Sequence, residues 1–171
     1  DAAFRYRAAY VAPADIQTVL NGCALPFVAG GVSIDRRLNR AVAALLLDYE
    51  RPLAALEYQD ALYDLACALQ ATAGAPILIK RANSQAAVAA RDYIDAHLNG
   101  NFSLAELEAA TGHDRWQLSR DFRAMFGTSP YRYLTLRRLD RARDMIRAES
   151  TIADAAITCG FSDQSHFGRL F

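Results

Sequence analysis

The sequence predicts a mainly α-helical chain whose C-terminal half holds two helix-turn-helix units joined by a long helix. Three observations carry that expectation. The first is the stretch 150–171, STIADAAITCGFSDQSHFGRLF. Ser150 or Thr151 suits a helix start, because a hydroxyl there accepts a bond from an exposed first-turn amide. Ile152, Ala155 and Ala156 mark one apolar face at helical spacing. Gly160 suits the left-handed conformation that ends a helix. Ser162 or Asp163 opens a second helix, with Phe167, Leu170 and Phe171 inward and Gln164, Ser165, His166, Gly168 and Arg169 on the other face. Two short helices, a glycine turn and a polar outer face describe a helix-turn-helix.

The second observation is that this pattern occurs twice. Ser103 and Glu106 form a capping-box pair. Leu104, Leu107 and Gly112 stand 48 residues before Ile152, Ala155 and Gly160. Past the glycine the offset becomes 49, pairing Asp114 with Asp163, Leu118 with Phe167, Arg120 with Arg169 and Phe122 with Phe171. One extra residue in the second turn accounts for the slip. Two stacked structural hairpins would repeat the apolar positions, but they do not need an arginine repeated on the outer face. The third observation is charge. The formal net charge is zero, yet 115–147 carries nine arginines against three acids, a surplus of six. Such a local, arginine-rich field suits phosphate contact and base reading at a defined site. Ion pairs such as Asp140 with Arg143 account for part of it.

Taken in order, residues 1–34 read as β structure with turns. Phe4, Tyr6, Ala8 and Tyr10 alternate with Arg5, Arg7 and Ala9, the period of a strand with one buried face. Pro13 to Leu20 reads as a short helix with proline near its start, and Asn21-Gly22 and Gly30-Gly31 as turns. Residues 35–74 read as a helical pair. Asp35 caps the first helix, Leu38, Val42, Leu45 and Tyr49 stripe it, and Pro52 breaks the run. Tyr58, Leu62, Leu65 and Leu69 stripe the second, which Gly74 and Pro76 end. These stripes either pack the pair on its own domain or form a dimer seam. Residues 75–85 read as a connector, with Ile77, Leu78 and Ile79 suggesting a packed segment. Residues 86–99 form a helix with Val88, Ala89, Tyr93, Ile94 and His97 or Leu98 on its apolar stripe, His97 being a helix-end residue. The first hairpin spans 103–126. Ser129-Pro130 then starts a long helix to about Ala148, in which Leu134, Leu139, Ala142, Met145 and Ile146 mix core contacts with Arg138 at the join.

The chain of 171 residues, 53% hydrophobic, is long enough for one or two globular domains. It starts at Asp1 and ends inside a predicted helix, so it reads as part of a longer protein. No apolar run approaches the ~20 residues of a membrane helix, and no signal peptide is visible. Cys23, Cys67 and Cys159 lack disulfide or zinc spacing and read as free thiols in a reducing cytoplasm. No nucleophile–base pair, phosphate loop, paired carboxylates or metal cluster occurs, and the three histidines are isolated. An enzyme is therefore not expected, nor any cofactor.

Residues 86–171 closely resemble the DNA-binding domain of AraC/XylS-type transcriptional regulators, through SLAELEAATG, WQLSRDFRAMFGTSPYRYL, RRLDRARDMI and IADAAITCGFSDQSHFGRLF. Glu108 departs from the pattern, standing where that family usually has a small residue between the two helices. The match also stops before the family's closing segment. FRYRAAYVAP resembles the end of the cupin-like effector-binding domain that precedes such DNA-binding domains. The resemblance implies a β remnant of that domain in 1–34, a dimerisation element in 35–74, and a small-molecule effector bound outside the present residues. It also implies two reading helices in successive major grooves, about one turn or ~34 Å apart on double-stranded DNA.

Major-groove edges distinguish all four base pairs, and arginine forks onto guanine. In the first reading helix Trp116, Ser119 and Arg120 share one face at steps of three and four, and the resemblance points to the same positions. Trp116 is either a contact to thymine methyls and sugar or a core residue. Arg115 and Arg123 are expected on phosphate, which holds register without reading sequence. In the second helix Ser165, His166, Gly168 and Arg169 match that family's base-facing positions, with Gln164 at the edge. Gly168 offers no side chain, so this half reads fewer bases or relies on DNA shape. The rival function is a protein-interaction module gripping a partner such as RNA polymerase, which is compatible with DNA binding in an activator.

Overall fold

The computed structural model describes residues 6–46, 51–74 and 82–171, and divides into two compact units, Asp1–Arg81 and Ala82–Phe171. The described residues are mainly helical and contain no strand. None of their helices is long and apolar enough to cross a membrane.

In the first unit, α1 (Pro13–Val19) begins on proline, where the missing amide is not needed, and buries Ile16 and Val19. Before it, the β expectation is corrected. The stretch from Tyr6 to Ala12 has no regular structure, and Tyr6 and Tyr10 are exposed. Period-two alternation favours a strand only where another strand satisfies its backbone, and no described segment does so. Phe4 lies outside the described residues.

The helical pair is α2 (Arg36–Leu46) and α3 (Ala55–Thr72), packed on each other, with α1 also against α3. Asp35 caps α2: the Arg37 amide donates to its Oδ1 at 2.7 Å. At the start of α3, Glu57 accepts from the Ala54 amide at 3.2 Å and from Arg51 Nη2 at 2.9 Å. Leu62 and Leu65, two of the expected seam residues, are buried within this unit beside Leu56, Ala61 and Ala66. The stripe of α3 thus serves the unit's own core. Leu38, Leu45 and Leu69 are half-buried and Val42 and Tyr58 exposed, while Tyr49 and the connector's Ile77, Leu78 and Ile79 lie outside the described residues.

The second unit starts with α4 (Ser84–Ala96), capped by Asn83, whose Oδ1 accepts from the Ala86 amide at 3.1 Å. Its buried face is Ala86, Ala87, Ala90 and Ile94; Val88, Ala89 and Tyr93 are half-buried. Alanines at this spacing let neighbouring helices approach closely, and α5, α6 and α7 all pack on α4. The first hairpin is α5 (Leu104–Thr111) and α6 (Arg115–Phe126). The long helix is α7 (Pro130–Arg147), capped by Ser129. The second hairpin is α8 (Ile152–Thr158) and α9 (Gln164–Leu170), started by Thr151 and Asp163. Leu139 and Ala142 of α7 share a core with Ala155, Ala156, Cys159, Phe161 and Phe167, with Met145 and Ile146 at its edge. Ile152, Leu170 and Phe171, expected inward, are exposed. The inward places of these short helices go to Ala155 and Ala156 on α8 and to Phe167 on α9. Cys23, Cys67 and Cys159 are thiols, and burial pushes that of Cys159 up.

Arg138 joins the parts of this unit. It is largely buried on α7. Its Nε donates to the Leu98 carbonyl at 2.9 Å, Nη2 to Gly100 at 2.8 Å and Nη1 to Gly160 at 2.8 Å. One guanidinium thus ties the end of α4, α7 and the turn of the second hairpin. Gly112 and Gly160 are both left-handed, at φ 69° and 80°. They differ in surroundings. A Cβ on Gly112 would meet nothing within 4 Å, whereas one on Gly160 would stand 2.8 Å from Arg138 Cζ.

Gly112→Ala is expected to cost about 1–2 kcal/mol, the usual penalty for a side chain in the left-handed region. Gly160→Ala should cost distinctly more, because it also displaces a guanidinium held by three carbonyls. Urea unfolding of both variants decides this, and equal losses would mean that Arg138 gives way freely. Leu62→Asp, which places a charge in the core of the first unit, should unfold that unit. Circular dichroism would register it as lost helix, and retention of the full helical signal would return Leu62 to a surface role.

Candidate nucleic-acid interface

The candidate surface consists of one face on each of α6 and α9. Asp114 starts α6 by accepting from the amides of Trp116 and Gln117 at 2.9 and 3.2 Å. Gly127, at φ 68°, ends it. Leu118 and Phe122 turn inward and fix which face remains outward. Trp116 and Arg120 are both half-buried. Arg120 Nη2 donates to Gln117 Oε1 at 2.9 Å, and Gln117 Nε2 donates to Asp121 Oδ1 at 2.8 Å.

Ser119 departs from expectation. It is fully buried, and its hydroxyl accepts from Arg123 Nη1. Position 119 lies between the two faces of α6, and packing has drawn it inward, so its side chain is not presented to a groove. Arg123, expected on phosphate, is half-buried and reaches back to Ser119.

Arg115, also expected on phosphate, is held by Glu108. Glu108 Oε1 accepts from the Arg115 amide at 2.9 Å and from its Nε at 3.0 Å, and Oε2 accepts from Nη2 at 2.7 Å. This two-pronged pair crosses from α5 to α6. It explains how a long acidic side chain is accommodated where a small residue was expected: the carboxylate caps the start of α6 and pairs with its first residue. The guanidinium and the amide hold the Glu108 carboxyl below the usual carboxylate range, and Glu108 raises Arg115.

On α9, Asp163 Oδ1 accepts from the His166 amide at 2.7 Å, which fixes the start of the helix. Gln164, Ser165, Gly168 and Arg169 are exposed. His166 is half-buried, with Nδ1 3.1 Å from Ser162 Oγ and its ring edge-on to Phe161. A Cβ on Gly168 would meet nothing within 4 Å. The arginines of α7 are partly paired: Arg137 with Asp95 at 3.1 Å, Arg143 with Asp140 at 3.0 Å and Arg147 with Asp144 at 3.2 Å. Among the described residues, no group of three or more His, Cys, Asp or Glu is placed to hold a metal.

Gln117 and Asp121 were not singled out from the sequence. The signal was present, since 117, 120 and 121 stand at the three- and four-residue spacings at which helical side chains meet. What the spacing could not show is that Asp121 is buried.

Residues 107–171 match the family model described as a helix-turn-helix domain. The chain is 33% identical over 81 residues to the probable transcriptional regulator LumQ of Photobacterium leiognathi, a match covering 47% of this chain and 33% of LumQ. It is 44% identical over 55 residues to the HTH-type transcriptional activator RhaS of Escherichia coli, covering 32% of this chain and 20% of RhaS. The match thus spans a third or less of the length of these relatives. No solved structure matches the chain.

The Glu108–Arg115 pair sets a pH dependence. Because the folded-state pKa of Glu108 is depressed, its contribution is fully present above the ordinary carboxylate pKa and is lost as pH falls through the folded value. Glu108→Ala should therefore cost about 1 kcal/mol at neutral pH, and the gap to the parent should close in acid. Thermal unfolding from pH 7 down to pH 3 tests this. A gap that stays constant would assign the loss to packing rather than to the charge pair.

Proposed function

We propose that this chain, whose residues 107–171 match a helix-turn-helix domain and resemble that of AraC/XylS-type regulators, is part of a sequence-specific DNA-binding transcriptional regulator that reads two successive major grooves. The observation that carries this reading is the duplicated hairpin with an arginine at the same place on each second helix, Arg120 on α6 and Arg169 on α9. A structural repeat alone needs the inward residues to recur, not the outward arginine. The similarity to LumQ, a probable transcriptional regulator, and to RhaS, a transcriptional activator, supports a regulatory role.

The mechanism follows from the faces. Arg120, with Trp116 beside it, meets base edges in one groove. Arg169, Gln164, Ser165 and His166 meet the next. Arg123 leans to the backbone and holds register. Gly168 leaves the backbone of α9 uncovered, so this helix approaches closely and takes less information from side chains. Control by a small-molecule effector and contact with RNA polymerase belong to the same reading and rest on the resemblance of the chain to that family. So does homodimerisation, which, with Leu62 and Leu65 committed to the core, would use the exposed Val42 and Tyr58.

Selection of bound duplexes from a random pool, followed by salt titration on the best site and its single-base variants, tests the proposal. Arg120→Ala should lose about 1–3 kcal/mol on the best site and relax preference at one position. Arg123→Ala should weaken all sequences alike and lower the salt slope by about one ion. Arg169→Ala should follow Arg120→Ala. Sequence-independent losses of equal size for all three would reduce the domain to a non-specific binder, and no binding to any duplex would favour the protein-interaction module.

A further inference from the structure

We propose that Gln117 is a positioning residue for sequence discrimination: a chain of hydrogen bonds from buried Asp121 through Gln117 fixes the Arg120 guanidinium before DNA arrives. This rests on the reading of α6 as a recognition helix.

The polarity of the chain has only one solution. A carboxylate accepts and does not donate, and a guanidinium donates and does not accept. The amide between them must therefore turn its NH2 to Asp121 and its oxygen to Arg120. The distances agree, at 2.8 Å from Gln117 Nε2 to Asp121 Oδ1 and 2.9 Å from Arg120 Nη2 to Gln117 Oε1. Asp121 is only 1% exposed, so the far end of the chain is set in the core and does not move with solvent.

Asp121 is a poor choice for stability alone. Its Oδ2 is buried and has no hydrogen-bond partner. A carboxylate in that state is destabilising compared with an apolar or amide side chain of similar size. What it provides is an anchor of fixed polarity one turn from Gln117. An arginine already held in one rotamer loses less freedom on meeting a base. It also adapts less readily to a wrong one. The chain therefore acts on discrimination more than on total affinity.

The test uses the whole chain and the duplex selected for it. Gln117→Ala removes the link. Gln117→Glu sets an acceptor against the acceptor of Asp121. Adding Asp121→Asn to Gln117→Glu supplies an amide donor and restores a consistent chain toward Arg120. Both single substitutions should lower discrimination at the base pair sensed by Arg120 about tenfold, and the double substitution should restore most of it. Side-chain NMR relaxation of Arg120 Nε in the free protein should show the link directly: rigid in the parent and mobile in Gln117→Ala. Parent-like discrimination in Gln117→Ala, where Arg120→Ala loses it, would overturn the proposal. So would an equal loss on every duplex, which would make Gln117 a backbone contact. An Arg120 side chain in the free parent as mobile as that of Arg132 would overturn it without reference to DNA. A parent with no base preference at any position would overturn the recognition-helix reading itself, and is distinguishable from the other outcomes.

Discussion

The second unit depends on the Arg138 guanidinium. It is largely buried, its three bonds go to carbonyls rather than to a carboxylate, and burial lowers its pKa from the usual guanidinium value. It remains a cation because that value starts so far above neutrality. Three carbonyl oxygens, from Leu98, Gly100 and Gly160, compensate the charge. These are carbonyls at helix ends and turns, which α-helical bonding leaves without partners. A single planar group with several donors satisfies all three and fixes their relative positions. Lysine, with its compact charge on a flexible stem, lacks that fork. The glycine at 160 follows from the same constraint: the space a Cβ would fill is taken by the guanidinium.

Around that joint, the two hairpins share a plan but not a surface. In the first, polar side chains are tied to one another: Glu108 to Arg115, Asp121 to Gln117 to Arg120, and Ser119 to Arg123. Most of these bonds lie on one helix or across its start, so they stiffen side chains that would otherwise sample many rotamers. In the second, Asp163 fixes the start of the helix and His166 meets Ser162 and Phe161, while Gln164, Ser165 and Arg169 are exposed beside an open Gly168.

The N-terminal unit illustrates how one pattern serves two ends. The stripe of α3 has the spacing of an interhelical seam, and it does form one, against α2 and α1 of the same chain. Periodicity reports that a helix has an apolar face. It does not report which helix covers that face. The alternation before α1 fails for a related reason, since a strand is defined by its partner and none of the described segments supplies one.

Helix positions in the second unit were legible in the sequence because their determinants are local. Ser103, Asp114, Ser129, Thr151 and Asp163 each accept a first-turn amide within three residues. Gly112, Gly127 and Gly160 each take the left-handed conformation that ends or follows a helix. The repeat, and with it the outward place of Arg120 and Arg169, follows from spacing alone. Tertiary structure decided what spacing leaves open: which residues between two faces turn inward, and which charges find partners. Ser119 lies one position from Arg120, yet it is enclosed and Arg120 is not. Arg115 stands at the outer start of α6, yet Glu108, seven residues earlier, holds it. Asp121 is an ionisable residue, yet it is buried. In each case the deciding contact comes from packing in three dimensions, where burial and hydrogen-bond partners, rather than residue type, determine what a side chain can do.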